Sequence, residues 1–401
     1  MIEFDSFLGY ERLDGKVGTR NYVLILATTH AAHFLAHKIH ESVNGTKVFV
    51  PEDEDGRSRE DRETIRRVLV GLGMNPNVHS VLLIANSMDV SYEELSVNQI
   101  AEDISKTGKE VQVLSIDLCG GMYSAMGKGV RIARDLLLTA SKERRTEASI
   151  SKLLLGVKCG LSDSTSGIAG NPVVGAMADR LIAVGGSLIF SETTEVVGAE
   201  HFIANRSVND AVRLKFLAAV QQAEDRAISI GEDIRSINPI PANIKAGITT
   251  LEEKSMGAIA KAGHSRLIDV IRYAEQPKEQ GLFFMDSWMS STTLFLGYAA
   301  SGATVGIFQM GGACLPDHPV VPAVATGIIT PIMYVTGNPQ TFRKGEMDFN
   351  AGVVIEDDEE IKDVGGSLMK KVIDIASGTL TEAETLNYQD RVEIYLTGPK
   401  L

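Results

Sequence analysis

The chain has 401 residues, 44% hydrophobic and 23% charged, a length and balance that suit a globule of two or three α/β-sized domains rather than one small core. Its 39 basic side chains against 52 acidic ones give a formal net charge of −13, which argues against a phosphate backbone or an anionic membrane as a general partner. A small anionic substrate is still compatible with that charge, because a few local cations can reverse the field inside one pocket.

Strand-like and helix-like segments alternate from the start. NYVLILAT (21–28), TKVFVP (46–51), SVLLIAN (80–86) and EVQVLSI (110–116) are continuous apolar runs, the pattern of strands buried on both faces of a parallel sheet. REDRETIRRVLVGLG falls between the second and third, and a helix over about 120–145 closes the unit. SKERRTEAS is a polar break, which predicts a Rossmann-like domain over 1–145 and a second α/β domain over 146–401. The pattern restarts with LLLGVKCG (153–160) and GSLIFSETT (186–194), passes through a long helix over 208–231, and continues with GLFFMDS (281–287), ATVGIFQMG (303–311) and PIMYVTG (331–337). The fold class is α/β, a doubly wound, mostly parallel sheet followed by a second α/β domain.

The three cysteines, Cys119, Cys159 and Cys314, are too few and too scattered for a disulfide scaffold. The charged opening MIEFDSFLGYERLDGKVG lacks the apolar core of a secretory signal, and no apolar run reaches the ~18 residues of a membrane span. A cytoplasmic protein without membrane or nucleic-acid partners is the expectation. No glycine fingerprint of a nucleotide site is present in LCGGMYSAMGKG.

Ligands of open parallel sheets sit beyond the C-terminal ends of the strands, and polar residues gather there. His30 follows the first strand, Cys159-Gly160-Leu161-Ser162-Asp163 the fifth, and Glu192-Thr193-Thr194-Glu195 the sixth. Asp286 follows LFFM, and Gly311-Gly312 follows GIFQM. SETTEVVGAEH holds Glu192, Glu195, Glu200 and His201 within ten residues, a set able to bind a divalent cation or to move protons. The competing reading is a helix cap at Thr193 or Thr194 with Glu195 in the first turn. His33, His37 and His40 read as a polar stripe on one helix face.

GYERLDGKVGTRNYVLIL, KCGLSDSTSGIAGNPVVGAMADRL, SETTEVVGAEH, AGITTLEEKSMGAIAKAG, GLFFMDS and MDFNAG occur in that order from about Gly9 onward, and together they resemble the altronate/galactarate dehydratase family, which includes the large subunit of sulfolactate sulfo-lyase. The resemblance implies a metal-dependent hydro-lyase that dehydrates a sugar acid such as altronate or galactarate to a 2-keto-3-deoxy acid. A C–S lyase of the sulfolactate type and a non-catalytic ligand-binding subunit of the same fold are the alternatives. It implies a divalent metal, Fe2+ with Mn2+ or Zn2+ as substitutes, bound by Cys159, His30 and Glu200. Cys159 could equally be a small packed residue. Glu192, Glu195, His201 and Asp163 are the implied catalytic groups. Arg20, Asn21, Lys158, Ser162, Thr193, Thr194, Asp286, Gly311 and Gly312 are the implied contacts to a small anionic hydroxy acid.

Two departures bear on the metal. TTHAAHF and IANSMDV stand where sugar-acid members often carry cysteines, so Cys159 loses partners. Fused members also carry a small domain ahead of the GYERLDG motif, which here begins at Gly9. The chain therefore resembles the large subunit of a split enzyme with a small partner subunit, or a stand-alone relative; a homo-oligomer is also expected.

Overall fold

The computed structural model describes residues 5–52, 54–89, 92–312, 328–385 and 392–400, so Cys314 lies outside the described residues. Among the described residues, fourteen strands form three sheets: β1 (Ser6–Glu11), β2 (Val17–Gly18), β3 (Tyr22–Ala27), β4 (Thr46–Phe49), β5 (Val78–Ala85), β6 (Glu110–Ser115), β7 (Thr146–Ser149), β8 (Leu154–Gly160), β9 (Ser187–Phe190), β10 (Leu267–Ile271), β11 (Leu282–Met285), β12 (Val305–Met310), β13 (Ile332–Thr336) and β14 (Phe349–Asn350). A four-stranded parallel sheet runs β4-β3-β5-β6, and a seven-stranded parallel sheet runs β10-β11-β9-β8-β12-β13-β14. A small antiparallel sheet, β2-β1-β7, ties the start of the chain to the polar segment after residue 145. The expected α/β class with parallel sheets is the one the chain adopts.

Burial explains why the central strand runs lack alternation, whereas EVQVLS, expected to be buried on both faces, forms the edge strand β6 and is exposed at Glu110 and Gln112. Val23 to Ala27 of β3 are fully buried because helices cover both faces. Leu35, Ala36 and Ile39 of helix 33–42 pack on one face with Ala125, Ala133 and Leu136 of helix 122–140. Ile65, Val68, Leu69 and Leu72 of helix 59–74 pack on the other. Ser58 starts that helix by accepting from the Asp61 N–H at 3.1 Å, with Glu60 and Asp61 in the first turn facing the dipole.

Helix 59–74 lies between the two parallel sheets, against helix 291–300, in a core that also takes Phe283 and Phe308 from the larger sheet. Gly71 permits the close approach: a Cβ there would collide with the carbonyl of Ala300. Gly71→Ala is expected to destabilise the protein by about 1–3 kcal/mol in urea unfolding, because neither helix backbone can shift without disturbing a sheet.

The C-terminal part returns to the first unit. Arg20 makes a bidentate pair with Glu384, Nε to Oε1 and Nη2 to Oε2 both at 2.7 Å, and donates to the carbonyls of Ile375 and Thr379 at 2.9 Å. The backbone N–H groups of Thr397 and Gly398 each donate to Asp61 Oδ1 at 3.2 Å.

In the larger sheet the chain leaves β8 toward β9 on one side, and β12 lies on the other with β13 and β14 beyond it. The strand order therefore reverses between β8 and β12, and the crevice at their C-terminal ends is the place this topology offers a ligand.

Candidate functional site

Cys159 and Lys158 end β8, and Glu192 follows β9 in the neighbouring exit. Both exits bend through backbone that non-glycine residues seldom adopt: Leu161 has φ 49° and Glu192 has φ 75°. Such conformations persist only where their surroundings over-determine them. At Glu192 the surroundings are electrostatic. Its fully buried carboxylate meets Lys261 Nζ at 2.6 Å through Oε2 and Lys158 Nζ at 3.3 Å through Oε1. Burial penalises this charge, but Lys261 and Lys158 outweigh it and hold the carboxyl below its ordinary range.

Lys261 comes from the turn Ala260–Ala262 that ends helix 251–259. It is 1% exposed, and its ammonium also reaches Cys159 Sγ at 3.4 Å and the carbonyl of Ala258 at 3.0 Å. Burial opposes its charge, while Cys159 and Glu192 more than offset the penalty and raise its pKa. Burial and the nearby Glu192 push the Cys159 thiol up to about 11, so it is a neutral thiol near pH 7. Lys158 donates to the Cys159 carbonyl at 2.6 Å and lies 5.0 Å from the Phe308 ring centroid.

Glu195 completes the cluster. Lys254, from the same helix as Lys261 and one heptad before it, meets Glu195 Oε1 at 3.0 Å and Asn238 Oδ1 at 2.7 Å. Glu195 Oε2 is buried without a partner among the described residues. The same holds for Thr194 Oγ1, Ser287 Oγ, Asn171 Oδ1 and both amide atoms of Gln309. Gln309 lies beside Cys159 in the β8–β12 register. Buried polar atoms are rarely left this way, and a group of them around one crevice marks where a polar ligand belongs. Lys254 and Asn171 also line a small recess with Ser162, Asp163 and Ser166.

Asp163 serves the loop. Its Oδ1 accepts from Thr165 Oγ1 at 2.6 Å and from the Ser166 N–H at 3.1 Å; its Oδ2 accepts from the Gly312 N–H and Asn338 Nδ2, both at 2.7 Å. It thereby locks the turn after β8 to the turn after β12. Gly311 is needed there because a Cβ would meet the Leu161 carbonyl. The Ser162 carbonyl accepts from Asn243 Nδ2 at 2.8 Å. Thr193 donates to Asp286 Oδ1 at 2.7 Å, and burial raises the Asp286 pKa against that bond.

The structure thus brings together Lys158, Cys159, Glu192 and Glu195, with Ser162, Asp163, Gly311 and Gly312 at the rim and Thr193, Thr194 and Asp286 in the adjoining exit. Four expected residues are elsewhere engaged, and a fifth lies beyond the end of a strand of the other parallel sheet. Arg20 is spent on Glu384 (above). Asn21 accepts from Arg12 at 2.8 Å and donates to the Ala140 carbonyl at 2.9 Å. His30 is exposed beyond β3, its ring 5.4 Å from that of His33. Glu200 accepts from the Gly198 N–H at 2.5 Å, and exposed His201 lies with its ring 4.2 Å from that of Phe202. The expected ligand set of Cys159, His30 and Glu200 is therefore not assembled, because His30 follows β3 of the other sheet and Glu200 is bound to the Gly198 N–H. Lys254, Lys261, Asn171 and Gln309 were not singled out from the sequence. The i, i+7 lysine spacing in an otherwise small and apolar stretch was the available signal for the first two.

A different trio has metal-like spacing. Ligand atoms of Cys159, Glu192 and Glu195 all lie within 4.8 Å of one another, so this group could bind an ion on distance alone. Charge argues otherwise. Lys261 already holds Cys159 Sγ and Glu192 Oε2, Lys158 holds Glu192 Oε1, and Lys254 holds Glu195 Oε1. One free oxygen is left, and the trio as it stands does not fit a resident divalent ion.

Residues 150–398 match the family model described as D-galactarate/altronate dehydratase, C-terminal, and residues 9–141 match D-galactarate dehydratase/altronate hydrolase, second domain. The chain is 31% identical over 393 residues to the (2R)-sulfolactate sulfo-lyase subunit beta of Chromohalobacter salexigens, spanning 96% of each. It is 28% identical to the altronate dehydratase of Bacillus subtilis, across 99% of this chain and 78% of that one. Against the galactarate dehydratase (L-threo-forming) of Escherichia coli the identity is 28%, across 94% and 74% respectively.

Proposed function

Because the chain belongs to the D-galactarate/altronate dehydratase family, we propose that it is a carbon–oxygen lyase, removing a proton beside the carboxylate of a small hydroxy acid and expelling hydroxide from the next carbon. A sugar acid such as altronate or galactarate, converted to its 2-keto-3-deoxy acid, is the proposed substrate. The observation that carries this is the charge balance of the crevice: three buried ammonium groups, Lys158, Lys254 and Lys261, face two buried carboxylates. A buried excess of positive charge is stabilised by an anionic ligand, and an enediolate carries more negative charge than its parent acid.

Glu195 is the proposed base, since its Oε2 has no partner among the described residues and Lys254 holds its Oε1 at 3.0 Å. Lys254 and Lys158 steady the charge that develops on the substrate carboxylate. Cys159, as a neutral thiol beside Lys261, is placed to protonate the leaving hydroxyl. Glu192 holds Lys158 and Lys261 in position. The ferrous ion implied by the family resemblance has no fitting site among the described residues, and no step here runs through it.

A second reading has its own support. The relative matched over 96% of both chains is a sulfo-lyase subunit, whereas the dehydratases extend well past the match. On that reading sulfite leaves, which needs no acid, and a small partner chain completes the enzyme. The deciding experiment is an anaerobic assay of the chain over a panel of hydroxy acids and sulfolactate, scoring 2-keto acid and sulfite separately, with and without a co-purified partner. Keto acid without sulfite from a sugar acid is the expected result. Neither product from any acid, with the partner present, overturns the lyase assignment.

A further inference from the structure

We infer that Lys261 is a built-in cation: its ammonium takes the position between Cys159 and Glu192 that a divalent ion would occupy, so that the Cys159–Glu192–Glu195 group loads no metal while Lys261 is in place. The inference concerns what the cluster binds and is independent of which bond the enzyme breaks.

Three observations converge. The first is valence. An ammonium has three N–H donors, and the acceptors around Lys261 are also three: Glu192 Oε2 at 2.6 Å, Cys159 Sγ at 3.4 Å and the Ala258 carbonyl at 3.0 Å. The Ala258 carbonyl belongs to the lysine's own helical segment, so the head group is held at its base as well as at its tip. The second is donor occupancy. Two of the three atoms an ion would need are the two side-chain acceptors of Lys261, while Lys158 and Lys254 hold the remaining paired oxygens of Glu192 and Glu195. The third is charge. Lys261, Glu192 and Cys159 are each no more than 1% exposed, so little water screens a divalent ion from the three ammonium groups around it. The expected iron-binding chemistry is therefore replaced, at this cluster, by a fixed organic cation paired with Glu192.

The test uses the full chain, produced in cobalt-supplemented medium and then titrated with Co2+ alone. A cobalt–thiolate bond gives a near-ultraviolet charge-transfer band that reports Cys159 ligation directly, without turnover. The wild type is expected to give no band that Cys159→Ser removes. Lys261→Met keeps the apolar stem and deletes the ammonium; it is expected to take up one equivalent of Co2+ through Cys159, with affinity raised on the order of 100-fold or more. Adding Cys159→Ser to that variant should abolish the band. A stoichiometric, Cys159-dependent band in the wild type overturns the inference, as does a folded Lys261→Met that gains none. Should Lys261→Met not fold, Lys261→Gln, judged by the same criteria, takes its place beside the wild-type titration. Because no readout is catalytic, failure of the lyase assignment leaves the result interpretable.

Discussion

Glu195→Gln is expected to lower kcat by roughly 10²–10⁴-fold with little change in KM, while the protein keeps its circular dichroism and unfolding midpoint. The substitution is nearly isosteric. Its amide oxygen can still accept from Lys254, whose other bond to Asn238 is untouched, so the helix carrying Lys254 stays in place. What disappears is the basicity of Oε2, the atom with no partner among the described residues. His201→Ala serves as the control: its ring is exposed beside Phe202, and near-wild-type turnover is expected. If Glu195→Gln retains full turnover on the substrate found by the panel assay, Glu195 is not the base.

Glu192→Gln should fail differently, through stability. The carboxylate lies between two buried ammonium groups, and removing its charge leaves both without compensation at a cost of about 3–5 kcal/mol. Urea unfolding should report this as a lower midpoint with an unchanged slope. Lys261→Met added to Glu192→Gln should recover part of the loss, since it removes one of the stranded charges. The pH dependence has a definite sign. Burial works against Glu192, but Lys261 and Lys158 place its folded pKa below the ordinary carboxylate value. Its contribution is thus complete above that ordinary value and is lost only as pH falls through the lowered one. Wild type should therefore lose stability in acid more steeply than Glu192→Gln. Equal acid sensitivity in the two proteins would rule out the ion-pair account.

The fold was the legible part of the sequence, because burial on both faces leaves a mark on every residue of a strand. The apolar runs YVLILA and VLLIA each lie within one strand of the sheet. The site was legible only where it follows a strand. Cys159 and Glu192 stand at strand exits and were visible for that reason. Lys254 and Lys261 arrive on a helix about a hundred residues beyond Cys159, and lysines in a helix read as solvated charges until a buried carboxylate appears beside them. Arg20 misled for the converse reason. Its cationic head looked available to a substrate carboxylate, and its protein partner, Glu384, is 364 residues away. Asp163 and Glu200 show a further limit: a carboxylate near a turn satisfies backbone donors as readily as it does chemistry, and the letters do not distinguish the two.

The Arg20–Glu384 pair also bears on how the protein is made. A ribosome releases the strands of the first sheet early, and their apolar faces can be covered by helices already synthesised. The guanidinium of Arg20 cannot be matched at that stage, because its carboxylate and the carbonyls of Ile375 and Thr379 lie 364, 355 and 359 residues further along the chain. The Asp61 carboxylate waits likewise for Thr397 and Gly398. The first unit thus keeps a buried guanidinium unmatched until residues 375–384 have been made. The segment around Glu384 acts as a clasp that completes the first unit from a distant part of the chain.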